Sequence, residues 1–253
     1  MTSLITKDEF RTKLLGFISQ CDLSDLSYLR EILEDEENIL GDHPSKPSMP
    51  NLNSIKSTGE KAFQRAIING KKTLLDNQRS SGVETVIWLD IELPVTLSAS
   101  PRRICLDLLG SLDGIPVLCE LKYLESSPSN HPVYGVVELL IYYYFIHCNY
   151  QKLDKYGVHH HLILKDFKWE VIVNNGFPQL LLVANKAYWD YWFKRIDKNE
   201  LVKQIFDLGM MLDTNIHLFE APNEDFILQK GDKPSFKPKV QSNVWTKIKQ
   251  EYN

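Results

Sequence analysis

Cysteine is scarce in this chain, with four in 253 residues, and Cys21, Cys105, Cys119 and Cys148 lie far apart. With no C-x-x-C pair, the sequence offers no ready scaffold for zinc or an iron–sulfur cluster. Thiols so dispersed read as reduced, in a cytoplasmic protein. Long hydrophobic runs are missing too. Residues 139–146 form the longest apolar stretch, too short to cross a bilayer, and the opening MTSLITKDEFRTKLL is too charged for a signal peptide, so no membrane partner is expected. Neither a G-x-x-x-x-G-K-[ST] phosphate loop nor a G-x-S-x-G elbow occurs, which argues against ATP hydrolysis within this chain. There is no internal repeat.

What is present is a composition of 43% hydrophobic and 25% charged residues, enough to bury a substantial core. The net charge of −4 argues at first against a polyanionic substrate, yet the charge is unevenly spread. Residues 6–42 carry ten acids against four bases, including the run Glu34-Asp35-Glu36-Glu37. Residues 46–82 reverse the balance, with Lys61, Arg65, Lys71 and Lys72 among seven bases against two acids, and residues 229–250 hold six lysines against Asp232. This asymmetry permits a basic track for nucleic acid through Lys61, Arg65, Lys71 and Lys72. The plain alternative is solvated helix faces that differ in sign.

Thr6-Lys7-Asp8-Glu9 has the form of a capping box and predicts a helix with Phe10, Leu14, Phe17 and Ile18 on one face. A second helix uses Leu26, Leu29, Ile32 and Leu33, and ends near Gly41. Residues 43–53, HPSKPSMPNLN, read as a linker because each proline removes a donor and restricts its predecessor. Residues 1–52 are thus an acidic helical appendage, 53–222 a core, and 223–253 a basic tail, expected to pack loosely. In the core, Ser57-Thr58-Gly59-Glu60 opens a helix through Phe63, Ala66 and Ile67 that weakens at Asn69-Gly70. Strands follow at 85–97, 103–109 and 117–124, separated by turn chemistry such as Asp113-Gly114, in an antiparallel meander. Residues 133–148 are apolar on nearly every side and predict a helix buried against that sheet. Further strands are expected at 160–164, 169–173, 179–183 and 215–220, with helices at 185–195 and 199–212. The fold class is therefore α/β, a central mixed sheet flanked by helices.

Chemistry concentrates in residues 102–122, RRICLDLLGSLDGIPVLCELK. Alternate strand residues share a face, so Glu120 and Lys122 project together while Cys119 and Leu121 point the other way. Asp107 interrupts an apolar strand, and the Asp113-Gly114 turn brings it towards Glu120. Two carboxylates at that distance suit a hard divalent cation, with the Leu121 carbonyl as a further oxygen ligand. Magnesium fits best, because it binds through one or two carboxylates and keeps several waters, and manganese is expected to substitute. Lys122 is then placed to orient the attacking water or to stabilise charge at phosphorus. An E-x-K triplet alone carries little, since about one is expected by chance in a chain this long. The bland reading makes Asp107 and Glu120 edge-strand charges paired with Lys122 and Arg103.

The order of Glu60 on a helix, Asp107 in a strand, Glu120-Leu121-Lys122 in the next, and a helix bearing Glu138 and Tyr142 resembles the PD-(D/E)xK nuclease superfamily. That superfamily includes restriction endonucleases, Holliday-junction resolvases and many bacterial antiphage effectors. The resemblance spans residues 56–220 and implies a restriction-endonuclease-like core. It also implies metal binding by Asp107 and Glu120, assistance to water by Lys122, and completion of the site by Glu60. DNA is the implied substrate, and dimers are common among members that cut both strands. Asp107 follows Leu106 where the literal motif has Pro, and Glu138 stands where many relatives place Gln. Glu138, with Tyr142, either reaches the metal or is a buried structural acid. Glu60 either ligates or only satisfies a helix-terminal amide.

His159-His160-His161 invites a zinc site, but adjacent strand residues face opposite ways. Tyr142-Tyr143-Tyr144 reads as helical core packing, whereas in 188–192 some aromatics are expected to be exposed for base stacking or protein contact. The favoured function is a magnesium-dependent DNA endonuclease. Its rivals are a catalytically silent nucleic-acid-binding or scaffold subunit, and an effector held inactive until a partner engages the acidic N-terminal helices.

Overall fold

Thr6 caps the first helix as its sequence predicts, its Oγ1 accepting from Glu9 N at 3.2 Å. The computed structural model describes residues 5–35, 50–53, 59–77, 82–96, 104–125, 130–158, 167–174, 178–222, 226–230, 236–240 and 244–249. The helices are α1 (Lys7–Gln20), α2 (Leu26–Glu34), α3 (Glu60–Gly70), α4 (Pro132–Lys155), α5 (Glu170–Asn174), α6 (Lys186–Phe193) and α7 (Lys198–Met211). The strands are β1 (Lys72–Asp76), β2 (Val83–Pro94), β3 (Cys105–Leu112), β4 (Ile115–Lys122), β5 (Gln179–Asn185), β6 (Asn215–Ala221), β7 (Phe226–Lys230), β8 (Phe236–Val240) and β9 (Val244–Lys247).

The β3–β4 hairpin turns at Asp113 and Gly114, both with positive φ (50° and 86°), the backbone that suits a two-residue connection between twisted strands. β2, β3 and β4 form the expected antiparallel meander, and β4, β5 and β6 continue it in parallel. The expected open central sheet of a restriction-endonuclease-like core is not what forms. β9 pairs antiparallel with β6 and parallel with β1, closing β1-β2-β3-β4-β5-β6-β9 into a mixed seven-stranded barrel. Neither β1 nor β9 is legible as a strand in the sequence. β9 lies in the lysine-rich tail, and its Trp245, only 1% exposed, anchors it in the core. The tail therefore carries structure where loose packing was expected, and β7 and β8 pair there as a separate hairpin.

Two apolar clusters lie on the two faces of the closed sheet. All seven strands contribute to the inner one, through residues such as Leu75, Trp88, Leu108, Leu121, Val183, Phe219 and Trp245, and α3 adds Phe63, Ile67 and Ile68. On the outer face Leu109, Leu118, Leu182 and Leu218 meet α4, which is buried along most of its length as its all-round apolar sequence predicts. Phe10, Leu14 and Ile18 of α1 and Leu26, Leu29 and Leu33 of α2 belong to that same outer cluster, with Phe10 stacked on Tyr144 at 6.0 Å. The two N-terminal helices are therefore packed on α4.

Residues 169–173, expected as a strand, form the short helix α5, because Asp154 caps its start by accepting from Trp169 N and Glu170 N at 2.6 and 3.0 Å. The triple histidine, the strand expected at 160–164 and most of the linker lie outside the described residues. Among the described residues no helix is long and apolar enough to cross a membrane.

Candidate active site

Leu118 belongs to the outer cluster and Cys119 and Leu121 to the inner one, so strand alternation sends Glu120 and Lys122 outward towards α4 as expected. The β3–β4 ladder runs from Leu112↔Ile115 to Leu108↔Cys119 and stops one pair short of Asp107↔Glu120. Asp107 itself takes over there: its Oδ2 accepts from Leu121 N at 2.8 Å. A strand residue's N–H and C=O leave on the same edge, so the Leu121 carbonyl also points to the Asp107 side.

A second irregular point lies opposite this interruption, on β2. Glu92 has φ +48°, a left-handed conformation that non-glycine residues seldom adopt. Across it the strand pair switches faces, with Ile91 and Leu108 in the inner cluster and Leu93 and Leu106 in the outer one. Two consecutive residues of α3 hold the two points. Gln64 Nε2 donates to the Asp107 carbonyl at 2.8 Å and to its Oδ1 at 3.2 Å. Arg65 pairs with Glu92 Oε1 at 3.0 Å.

Around Asp107 the structure gathers the remaining predicted residues. Lys122 Nζ lies 2.6 Å from Glu120 Oε1 and 2.9 Å from Glu138 Oε2, and Tyr142 OH donates to Glu138 Oε1 at 2.7 Å. Glu60, the first residue of α3, accepts from the backbone N–H of Tyr123. It thus reaches across to the end of β4. Ser57 and Thr58 of its expected capping box lie outside the described residues. Gly135 of α4 makes room for the lysine: a Cβ there would stand 3.2 Å from Lys122 Cε and 2.8 Å from Leu182 Cδ1.

Four carboxylates thus face one ammonium. Burial, then Glu60, pushes Asp107 up to about 7, and burial, then Asp107 and Glu138, pushes Glu120 well above the usual carboxylate range. Burial also raises Glu60, against the pull of Lys122. Glu138 goes the other way. Burial would raise it, but the Lys122 ammonium and the Tyr142 hydroxyl hold it below its ordinary value. Burial disfavours the charged form of Lys122, but the surrounding carboxylates outweigh that and keep the amine protonated. Cys119 faces the interior, where burial raises its thiol, so it packs rather than reacts.

The expected cation would need oxygen donors, and the residues present are of that kind. Glu120 Oε2 is buried and has no donor when Glu120 is ionised; held protonated, the Glu120 carboxyl donates to Glu138 instead, so a cation arriving there would displace that proton. As the side chains stand, with Lys122 between Glu120 and Glu138, no three His, Cys, Asp or Glu among the described residues are disposed to hold a metal ion.

The basic track is not continuous. Lys61 is exposed beside Glu60, whereas Lys71 and Lys72 are exposed about 15 Å away at the far end of α3. Arg65 does not belong to any surface. It is 8% exposed and donates to the Asn51 carbonyl, the Lys61 carbonyl, Gln64 and Glu92, at 2.7 to 3.3 Å. Gln64 was missed in the sequence, since an amide within a helix gives no signal until its strand partner is known. Tyr142, Tyr143 and Tyr144 are buried as expected, and Tyr191 and Trp192 are half-buried. No family model matches this chain, and no curated protein or solved structure proved similar to it.

Proposed function

We propose that this protein is a magnesium-dependent endonuclease that hydrolyses DNA phosphodiester bonds in the cytoplasm, with site residues in the PD-(D/E)xK order. The observation that carries this reading is the gathering of four carboxylates, the buried Glu120 and the partly exposed Asp107, Glu60 and Glu138, about the single buried Lys122 ammonium. Like charges packed this closely are unfavourable unless a multivalent cation offsets them. Asp107, Glu120 and the Leu121 carbonyl would hold magnesium, with manganese able to replace it and Glu60 completing the set. Bound there, the ion would supply Lewis-acid charge to a phosphoryl oxygen.

The remaining work falls to the chain itself. Lys122 is held protonated, so it does not take the proton from water; it orients water and offsets charge developing at phosphorus. Glu138, fixed by Tyr142, holds the lysine in place. Asp107 owes its position to Leu121 N and Gln64, so it is aimed before any ligand arrives.

A second reading, a catalytically silent nucleic-acid-binding or scaffold subunit, draws on the same cluster, because Lys122 already bridges Glu120 and Glu138. Incubation of purified protein with plasmid, linear single-stranded DNA and RNA, each with magnesium, manganese or EDTA, separates the two. Cleavage that needs the cation and disappears in Asp107→Ala and Lys122→Ala supports the nuclease. Cleavage indifferent to both substitutions overturns the assignment, and binding without cleavage supports the silent subunit.

A further inference from the structure

We infer that the site takes an unpaired strand, held by stacking of its bases on a tyrosine rim to which α2 contributes Tyr28. This rests on the nuclease reading above and names its substrate class.

Tyr134 and Tyr123 stand beside the carboxylate cluster, and Tyr28 stands near Tyr134. Tyr134 stands in the first turn of α4, half-buried, with its ring centroid 6.0 Å from Lys122 Nζ. Tyr123 follows Lys122 directly; its backbone N–H donates to Glu60 and its ring packs on Phe63 at 5.7 Å. Tyr28 comes from α2. Asp25, which begins that helix, accepts from His131 N at 3.2 Å, and His131 caps α4. The starts of α2 and α4 are thereby joined, and Tyr28 and Tyr134 each follow three residues beyond the joined pair. Tyr28 is close enough to Tyr134 to add to the burial effect that raises the Tyr134 phenol to about 12. It is also 42% exposed, open to a ligand.

Charge and depth favour one strand over two. A duplex carries one phosphate per about 1.7 Å of axis and is held chiefly by lysine and arginine. Here Lys61 is the one exposed base of the expected track at the cluster, since Arg65 is buried and Lys71 and Lys72 lie at the other end of α3. α2 adds an acid there, Asp25, which binds the start of α4. With one exposed base of that track at the cluster among the described residues, stacking is a further source of affinity, which single strands offer and base-paired bases do not. Glu120 and Lys122 are 3% and 7% exposed, a depth that suits a flexible backbone better than a stiff duplex.

The test compares cleavage of a short single-stranded DNA, the matching RNA and the matching duplex by the full chain with magnesium, for wild type, Tyr28→Ala and Tyr28→Phe. Single strands are expected to be cut at least about tenfold faster than duplex, and Tyr28→Ala to raise KM for them about tenfold, with Tyr28→Phe close to wild type. The exposure of Tyr28 means that the variants should melt like wild type, and a melt checks this. RNA cut as fast as DNA supports the stacking rim, because either base stacks. Duplex cut as fast as single strand, or a Tyr28→Ala enzyme equal to wild type, overturns this inference and leaves the nuclease reading standing. Failure to cut any of the three overturns both.

Discussion

Arg65 and Lys122 are both buried cations, 8% and 7% exposed, yet their surroundings differ in kind. Arg65 meets one carboxylate, Glu92, and three neutral acceptors, so its charge is matched and its donors are used. Lys122 faces four carboxylates, three of them raised above their ordinary values. A matched cation stabilises a fold. An unmatched cluster is retained at a cost, and that pattern marks a site.

The comparison breaks most readily by substitution. Asp107→Asn should lower cleavage by about a thousandfold or more, roughly 4 kcal/mol of barrier, while the thermal midpoint stays level or rises. Arg65→Met should do the reverse in kind. It leaves Glu92 and two carbonyls without their donor, costing about 2–4 kcal/mol of stability, and lowers activity through the slackened hold on the strained β2–β3 crossing. Paired melts and initial rates decide. An Arg65→Met protein that melts like wild type would end the claim that this cation is structural.

Acid dependence separates the two further. Asp107 titrates near 7 in the folded chain and near 4 when unfolded. Between those values the folded state holds a proton that the unfolded chain has lost, so the metal-free protein loses stability as pH rises from about 4 to about 7. Glu60 and Glu120 act in the same sense; Glu138, lowered, acts in the opposite one, adding stability that is lost as pH falls. Glu138 is already ionised across pH 5 to 7.5, while His131 and His147, both lowered by burial, add stability as pH rises. The midpoint in EDTA should therefore fall more, or rise less, over that range in wild type than in Asp107→Asn, and magnesium should raise it more at the higher pH. A midpoint that magnesium leaves unmoved at both pH values would remove the cation from the proposal.

Much of this cluster was legible because strand alternation and turn chemistry are local. Asp113-Gly114 dictates the hairpin, and alternation then places Glu120 with Lys122. The closure of the sheet was not legible. β9 is four residues in a lysine-rich stretch, held by pairing with β6 and β1 and by the burial of Trp245, none of which its own neighbours encode. Arg65 misled for a related reason. A basic residue on a helix reads as surface until Asn51 and Glu92, distant in sequence, are seen to receive it. The short helix at Trp169 was missed because its cap, Asp154, sits fifteen residues earlier.

A smaller effect sharpens the electrostatic side. Glu120→Gln keeps the shape and the contact with Lys122 and replaces a carboxyl that burial and its neighbours already hold protonated without metal. It should leave the metal-free midpoint near wild type at neutral pH and abolish most of the magnesium-dependent rise. A loss of stability instead would mean that the Glu120 charge is needed to hold Lys122 and that the cluster is matched after all.

The smallest effects concern the exposed lysines, and here the contrast is between three residues that look alike in the sequence. Lys61 adjoins Glu60 and lowers that carboxyl's raised value, so its field reaches the cluster. Lys71 caps the other end of α3 with φ +66°, and Lys72 starts β1. If Lys61 contacts one phosphate of the bound strand, Lys61→Ala should weaken binding a few-fold and reduce the slope of log affinity against log salt by about one. Lys71→Ala and Lys72→Ala should leave that slope unchanged, because a charge about 15 Å away is beyond the roughly 8 Å screening length of physiological salt. Equal slopes for all three variants would restore the continuous basic track along α3 and weaken the case for a strand held by stacking.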